Sequence, residues 1–330
     1  MTNGFDSRTE ILGYEPVPWS FLQRLDEVPC DVFLRTGRRI VLYATTGTDP
    51  ASLRDRASAG VDLVVRQGDS YLLRRMLTVS LDRTLKDTHT PPAKRSREAY
   101  EITASIVAQT FKMGRDGFDG DEAALVQETV DLLTNVVTGD DDTLWSMVAS
   151  MQRQLTTHTH AINAAIFGVA LAKKAGFSDI ASLKDIGRGA LLMDLGLTTL
   201  PSRIVERPSS LEAQEARALR QHPAIGYSIV TRAIGETPSY AHIILEHHER
   251  LDGTGYPAGR KSSQLALDSQ LVAIADAFDL LTSTHGSQPG MSPYAACQQL
   301  RFGMPGQFND ELLRIFIDVL GGWPSLRIAS

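Results

Sequence analysis

Cysteine is nearly absent. Cys30 and Cys297 are the only two in 330 residues, far apart and neither in a Cys-x-x-Cys pair. That excludes a zinc ribbon and a disulfide framework, and a reducing compartment fits. Long apolar runs are missing too: none nears the roughly 20 residues of a membrane span. The opening "MTNGFDSRTE" is polar and has no apolar signal core. Basic charge is not in excess, with 33 Lys and Arg against 39 Asp and Glu and a formal charge of −6. This argues against a general binder of nucleic acid or anionic membranes, though it leaves room for a local basic pocket. Repeats and low-complexity tracts are absent. A bacterial cytoplasmic protein is expected from these absences. What is present is length and a 42% apolar content, enough for two domains and a sizeable core.

The first 90 residues mix strand and helix signals. "CDVFLR", "RRIVLYAT" and "GVDLVVRQGD" read as strands by their β-branched and aromatic content. "DPASLRDRASAG" reads as a helix with Pro50 near its start and Gly60 at its end, and "SYLLRRMLTVSLDRTLKD" as a closing amphipathic helix. A small α+β, regulatory domain over 1–90 is the expectation. Pro91-Pro92 then break the chain. Residues 91–150 read as a helical connector. Its acidic interruptions, "GRDGFDGDEA" and "TGDDDT", lack EF-hand spacing and suit turns and N-caps. A transmitter of movement, a homodimer surface and a solvent-exposed linker all remain open for it.

Residues 151–330 read as an all-α domain. Ile162, Ala165, Ile166, Val169 and Ala170 recur on one helical face. Ser182 with Asp185, and Ser209 with Glu212, have capping-box spacing. "QLVAIADAFDLL" is apolar all round except for Asp276 and Asp279, as in a buried helix.

Six of the eight histidines fall between residues 158 and 248: His158, His160, His222, His242, His247 and His248. Asp194, in the apolar stretch "LLMDLGL", and Asp276 accompany them. A buried carboxylate must be neutralised, paired or bound to metal. Imidazole and carboxylate without thiolate suit iron, manganese, nickel or catalytic zinc. A single histidine on an apolar face is usually a core residue, whereas the adjacent pair His247-His248 is seldom needed for packing.

"HAINAAI", "LLMDLGL", "RQHPAIG", "LEHHERLDGTGYPAG" and "VAIADAFDLLTS" resemble, in order and spacing, the HD-GYP domain, a branch of the HD phosphohydrolases. The resemblance covers about 151–320. It implies an all-helical fold, two or three metal ions, usually iron or manganese, and hydrolysis of cyclic di-GMP to pGpG or GMP. It also implies His160, Asp194, His222, His247, His248 and Asp276 as metal ligands, with Asp194 the bridging and catalytic carboxylate. Gly255, Tyr256 and Pro257 are implied as a substrate-facing loop.

The departures from the family are concentrated. The HD histidine is Met193, a soft thioether ill suited to iron(II) or manganese(II). The lysine near the scissile phosphate is Leu197, which removes a cation that would stabilise transition-state charge. Thr156 replaces the glutamate of trinuclear members, which argues against a third ion. Gln270 and His285-Gly286-Ser287-Gln288 stand where arginines are usual, while Arg207 keeps one cation for substrate. One ion thus retains Asp194, His222, His247 and His248. A second keeps His160, Asp194 and Asp276 and lacks one ligand. These features imply a degenerate HD-GYP-type protein, holding at least one ion, with impaired or absent phosphodiesterase activity. Such a chain would sense cyclic di-GMP or a related nucleotide, or act through a signalling protein partner. An active cyclic di-GMP phosphodiesterase, or a phosphohydrolase of another nucleotide, is the alternative.

Overall fold

The computed structural model describes residues 13–17, 19–37, 39–53, 61–139, 141–206 and 210–321. The chain divides into two compact units, Met1–Arg83 and Thr84–Ser330.

The first unit holds strands β1 (Tyr14–Pro16), β2 (Val32–Thr36), β3 (Arg39–Ala44) and β4 (Asp62–Arg66), with the short helix α1 (Trp19–Leu22) after β1. The sheet order is β1-β4-β2-β3, antiparallel throughout. Three strands lie where β-branched content predicts them. β1 was not anticipated: it is three residues long and ends on a proline, too short for a period-two signal. Of the helix expected over 49–60, Pro50–Leu53 form one 3-10 turn and 54–60 lie outside the described residues. Helix α2 (Ser70–Lys86) buries Leu73, Leu77 and Leu81, an i, i+4, i+8 stripe.

The second unit is helical. Its first members are α3 (Pro92–Gly117), α4 (Gly120–Gly139) and α5 (Asp141–Ser150). Asp119 Oδ1 accepts from the N–H groups of Asp121 and Glu122, so that acidic interruption caps a helix. These helices are not a solvent-exposed linker. Tyr100, Ile106, Leu125, Val130 and Met147 are buried, α3 packs on α5, and α4 on α5.

The rest comprises α6 (Thr157–Lys174), α7 (Ile180–Leu192), α8 (Ser202–Glu206), α9 (Ala213–Leu219), α10 (His222–Ile234), α11 (Ala241–Glu246), α12 (Leu267–Thr282), α13 (Pro293–Gln298) and α14 (Asp310–Leu320). α6 packs against α3, α4, α7, α12 and α14. It is buried continuously from Thr159 to Ala172, not along one face. Its small residues let five neighbours close in. Phe167, Phe278 and Phe316 lock α6, α12 and α14 by edge-to-face contacts at 4.9–5.9 Å. The cap of α7 is Asp179, whose carboxylate accepts from the N–H of Ser182, so the Ser182–Asp185 capping box does not form. At α9, Glu212 is itself the N-cap and pairs with Glu215; Ser209 lies outside the described residues.

Candidate metal centre

Five segments converge on Asp194. That residue follows the end of α7 and precedes a 3-10 turn over Leu195–Thr199. His160 stands in the first turns of α6, His222 opens α10, His247-His248 follow α11, and Asp276 lies within α12. A close backbone approach brings Asp194 to His222. A Cβ on Gly196 would lie 2.0 Å from the carbonyl oxygen of His222, so only glycine lets the 3-10 turn seat on α10.

Asp194, His222, His247 and His248 offer ligand atoms all within 4.8 Å of one another. His222 Nδ1 donates to the Leu219 carbonyl at 2.8 Å and His247 Nδ1 to the Ile244 carbonyl at 2.8 Å. Those bonds fix the tautomers, and in the neutral rings both Nε2 atoms carry lone pairs. Yet the two Nε2 atoms face each other at 3.2 Å, and His222 Nε2 lies 3.2 Å from Asp194 Oδ1. Three acceptors meeting in a buried space need a cation among them, so the residues fit a divalent metal. Burial and the adjacent His222 push His247 down to about 4. Burial, His247 and His222 likewise push His248 well below the usual imidazole range. Both therefore offer lone pairs at neutral pH. Burial alone would raise the Asp194 carboxyl, but His222, His160 and His247 overcome it and hold it well below the usual carboxylate range.

A second set of histidine and carboxylate groups adjoins the first. Asp194 directs Oδ1 to His222 and His247, at 3.2 and 3.8 Å, and Oδ2 to His160, at 3.7 Å. Its two oxygens are divided between two histidine groups, the disposition of a bridging carboxylate. His160 Nε2 lies 3.0 Å from Asp276 Oδ1. Asp276 Oδ2 is buried without a hydrogen-bond partner, 3.4 Å from His248 Nδ1 and 4.0 Å from Arg250 Nη2. Against burial, bonds to Asp276 and Asp279 raise His160 well above the usual imidazole range. Met193 is fully buried at the α7 terminus and Leu197 half-buried in the 3-10 turn.

Several further contributors are not among the implied ligands. Asp279 Oδ2 accepts from His160 Nδ1 at 2.8 Å, and Asp279 Oδ1 accepts from Asn163 at 2.8 Å. Tyr100, from α3, donates to Asn163 Oδ1 at 2.8 Å. This chain orients His160 from behind. Its sequence trace is slight: Asn163 is three residues past His160, and Asp279 is three past Asp276 in the same apolar helix. The Asp279→Asn variant is expected to bind metal about 10–100-fold more weakly while keeping its fold. Metal titration by calorimetry checks this, and an unchanged affinity would remove Asp279 from the centre.

The Gly255-Tyr256-Pro257 loop lies against the histidine pair. A Cβ on Gly255 would sit 2.5 Å from the His248 carbonyl oxygen. The Tyr256 ring lies 4.7 Å from the His248 ring and 6.2 Å from that of His222. The buried Glu249 carboxylate accepts from the N–H groups of Ala258 and Arg260, at 2.7 and 2.9 Å, and so pins the loop. His158 and His242 are not in the cluster: His158 contacts Thr156 at 3.2 Å and His242 pairs with Asp268 at 2.9 Å. Arg207 lies outside the described residues.

An all-helical unit in which buried histidines and aspartates converge from five segments has the make-up of a metal-binding helical domain. Residues 143–308, half of the chain, match the family described as HD domain, and the chain belongs to that family. It is 26% identical over 230 residues to the cyclic di-GMP phosphodiesterase PA4108 of Pseudomonas aeruginosa, covering 69% of this chain and 55% of that protein. With a cyclic di-GMP phosphodiesterase of Thermotoga maritima it shares 34% identity over 135 residues, 41% of this chain and 36% of that one. The chain thus spans about half or less of these relatives' length. Among solved structures it resembles Bd1817, an HDG"Y"P protein from Bdellovibrio bacteriovorus, with a TM-score of 0.69 and 18% identity over 93% of this chain and 99% of that one. That likeness establishes the fold. No helix of the described residues is long and apolar enough to cross a membrane.

Proposed function

We propose that this chain is a regulator of cyclic di-GMP signalling in the bacterial cytoplasm. It binds the dinucleotide at a centre holding at least one iron or manganese ion and hydrolyses it slowly or not at all. The observation that carries this reading is the uneven set around Asp194. Three histidines join it on one side, while on the other His160 and Asp276 stand without a fourth ligand, because position 193 is methionine. A divalent ion bound there supplies Lewis acidity toward a phosphodiester and neutralises charge. The chain's own residues do the rest. Asp194 spans the two ligand groups, Asp279 orients His160, and Glu249 holds the Tyr256 loop against the histidines. Leu197 offers no cation to the phosphate, which withholds electrostatic stabilisation where charge develops.

The divided oxygens of Asp194 favour a second reading, an active two-metal phosphodiesterase with water completing the poorer site. Metal per chain and cyclic di-GMP hydrolysis, on protein loaded with iron or manganese without oxygen, separate the two. Binding of the dinucleotide with one ion and negligible turnover is expected. Robust turnover with two ions establishes the enzyme instead. The Met193→His, Leu197→Lys double variant is expected to gain a second ion and at least tenfold in turnover. A failure to gain metal would place the defect elsewhere than position 193.

A further inference from the structure

Position 197 leaves the site without the cation a phosphate needs, and most arginines near it are committed elsewhere. Arg250 is half-buried, donates to the carbonyls of His247 and Glu249 at 3.1 and 2.8 Å, and lies over the Phe308 ring at 4.8 Å. Arg260 pairs with Glu246, and Arg203 with Glu215. Arg220 differs. It is exposed, two residues before His222, with its guanidinium 5.7 Å from the centroid of the Tyr256 ring. Among the described residues no carboxylate pairs with it. Tyr256 in turn lies 4.7 Å from His248 and 6.2 Å from His222, both in the ligand cluster.

We propose that Arg220 is the phosphate anchor of this site, supplying from the α9–α10 turn the cation that Leu197 does not. A cation–π contact holds a guanidinium by its face and leaves its N–H groups free. That planar fork matches two phosphate oxygens, which a lysine cannot do bidentately. Here the fork is stationed one aromatic ring away from the histidines. It is placed to grip a phosphodiester drawn to the metal centre, and it requires no movement of the buried core. The inference rests on the reading that the centre takes a phosphoryl ligand. It goes further in naming the residue that sets affinity.

The test uses the manganese-loaded full chain as wild type, Arg220→Ala and Arg220→Lys. Two probes are titrated at several salt concentrations: cyclic di-GMP, and bis(p-nitrophenyl) phosphate, a phosphodiester lacking guanine and ribose. Arg220→Ala is expected to weaken both by about 10–100-fold, with unchanged metal content and a shallower salt dependence. Arg220→Lys is expected to recover part of the loss. Equal affinities in wild type and Arg220→Ala overturn the anchor. So does a loss that comes with loss of metal or that lysine does not relieve, since either assigns a structural role. If wild type binds the simple diester through Arg220 but not cyclic di-GMP, the anchor stands and the cyclic di-GMP reading fails. If it binds neither probe, both fail.

Discussion

Asp194→Asn is expected to abolish metal binding. The substitution keeps the side chain's shape but removes the charge and turns one acceptor oxygen into a donor. That donor would point at either His160 or the His222–His247 pair, so one ligand group loses its shared oxygen in either orientation. In the wild-type chain, manganese at 100 times its dissociation constant stabilises the folded state by about 2.7 kcal/mol. In a unit of this size that raises Tm by about 5–11 °C. The Asn variant is expected to show no such rise and to retain less than about a tenth of the wild-type metal. A purely structural Asp194, serving as counter-ion to the imidazoles, behaves differently. The metal-free variant would lose about 3–5 kcal/mol, and added manganese would stabilise both proteins alike. Calorimetric melting with and without manganese, beside elemental analysis, separates the cases.

Gly196→Ala is expected to be the most damaging single methyl group in the site. Its Cβ would meet the His222 carbonyl oxygen at 2.0 Å and the Gly226 nitrogen at 2.8 Å. Both belong to backbone, which cannot rotate aside. The 3-10 turn must lift off α10, at a cost of about 3 kcal/mol or more, and Tm falls by about 6–12 °C. The lift also separates Asp194 from His222, so metal affinity falls with stability. Gly139→Ala is the control. Its Cβ would meet nothing within 4 Å, and it should shift stability by no more than about 1 kcal/mol, toward greater stability. Equal melting temperatures for the two variants would show that the turn is softer than its contacts indicate.

The parts of this centre legible in the sequence are those whose chemistry is local. "HHERLDGTGYP" places two histidines and the loop that touches them within eleven residues, so the motif carries its own geometry. Asp194 stood out because no counter-charge neighbours it among apolar residues. Asp279 is equally conspicuous in its apolar helix, but its role is not, because its partner His160 is 119 residues away and nothing at either position marks the contact. Arg220 was hidden for the same reason: its partner Tyr256 lies beyond two helices, α10 and α11, and a cation–π contact leaves no spacing rule. The one-face reading of α6 failed because alanine and glycine carry little periodic signal, although they permit packing on every side. Capping at α7 was displaced by three residues because Asp179 and Ser182 both suit an N-cap, and only backbone geometry chooses between them.

The hydrogen-bonded chain from Tyr100 through Asn163 and Asp279 to His160 has a thermodynamic consequence. It begins on α3, the helix that opens the second unit, and ends on the imidazole shared by Asp194 and Asp276. Ion binding that fixes His160 therefore also fixes the Tyr100 hydroxyl, and linkage requires the reverse with the same coupling free energy. Any event that draws α3 away from α6 must lower affinity for the ion by the factor with which the ion clamps α3 in place. Occupancy of the centre and the position of that helix are two readings of one equilibrium.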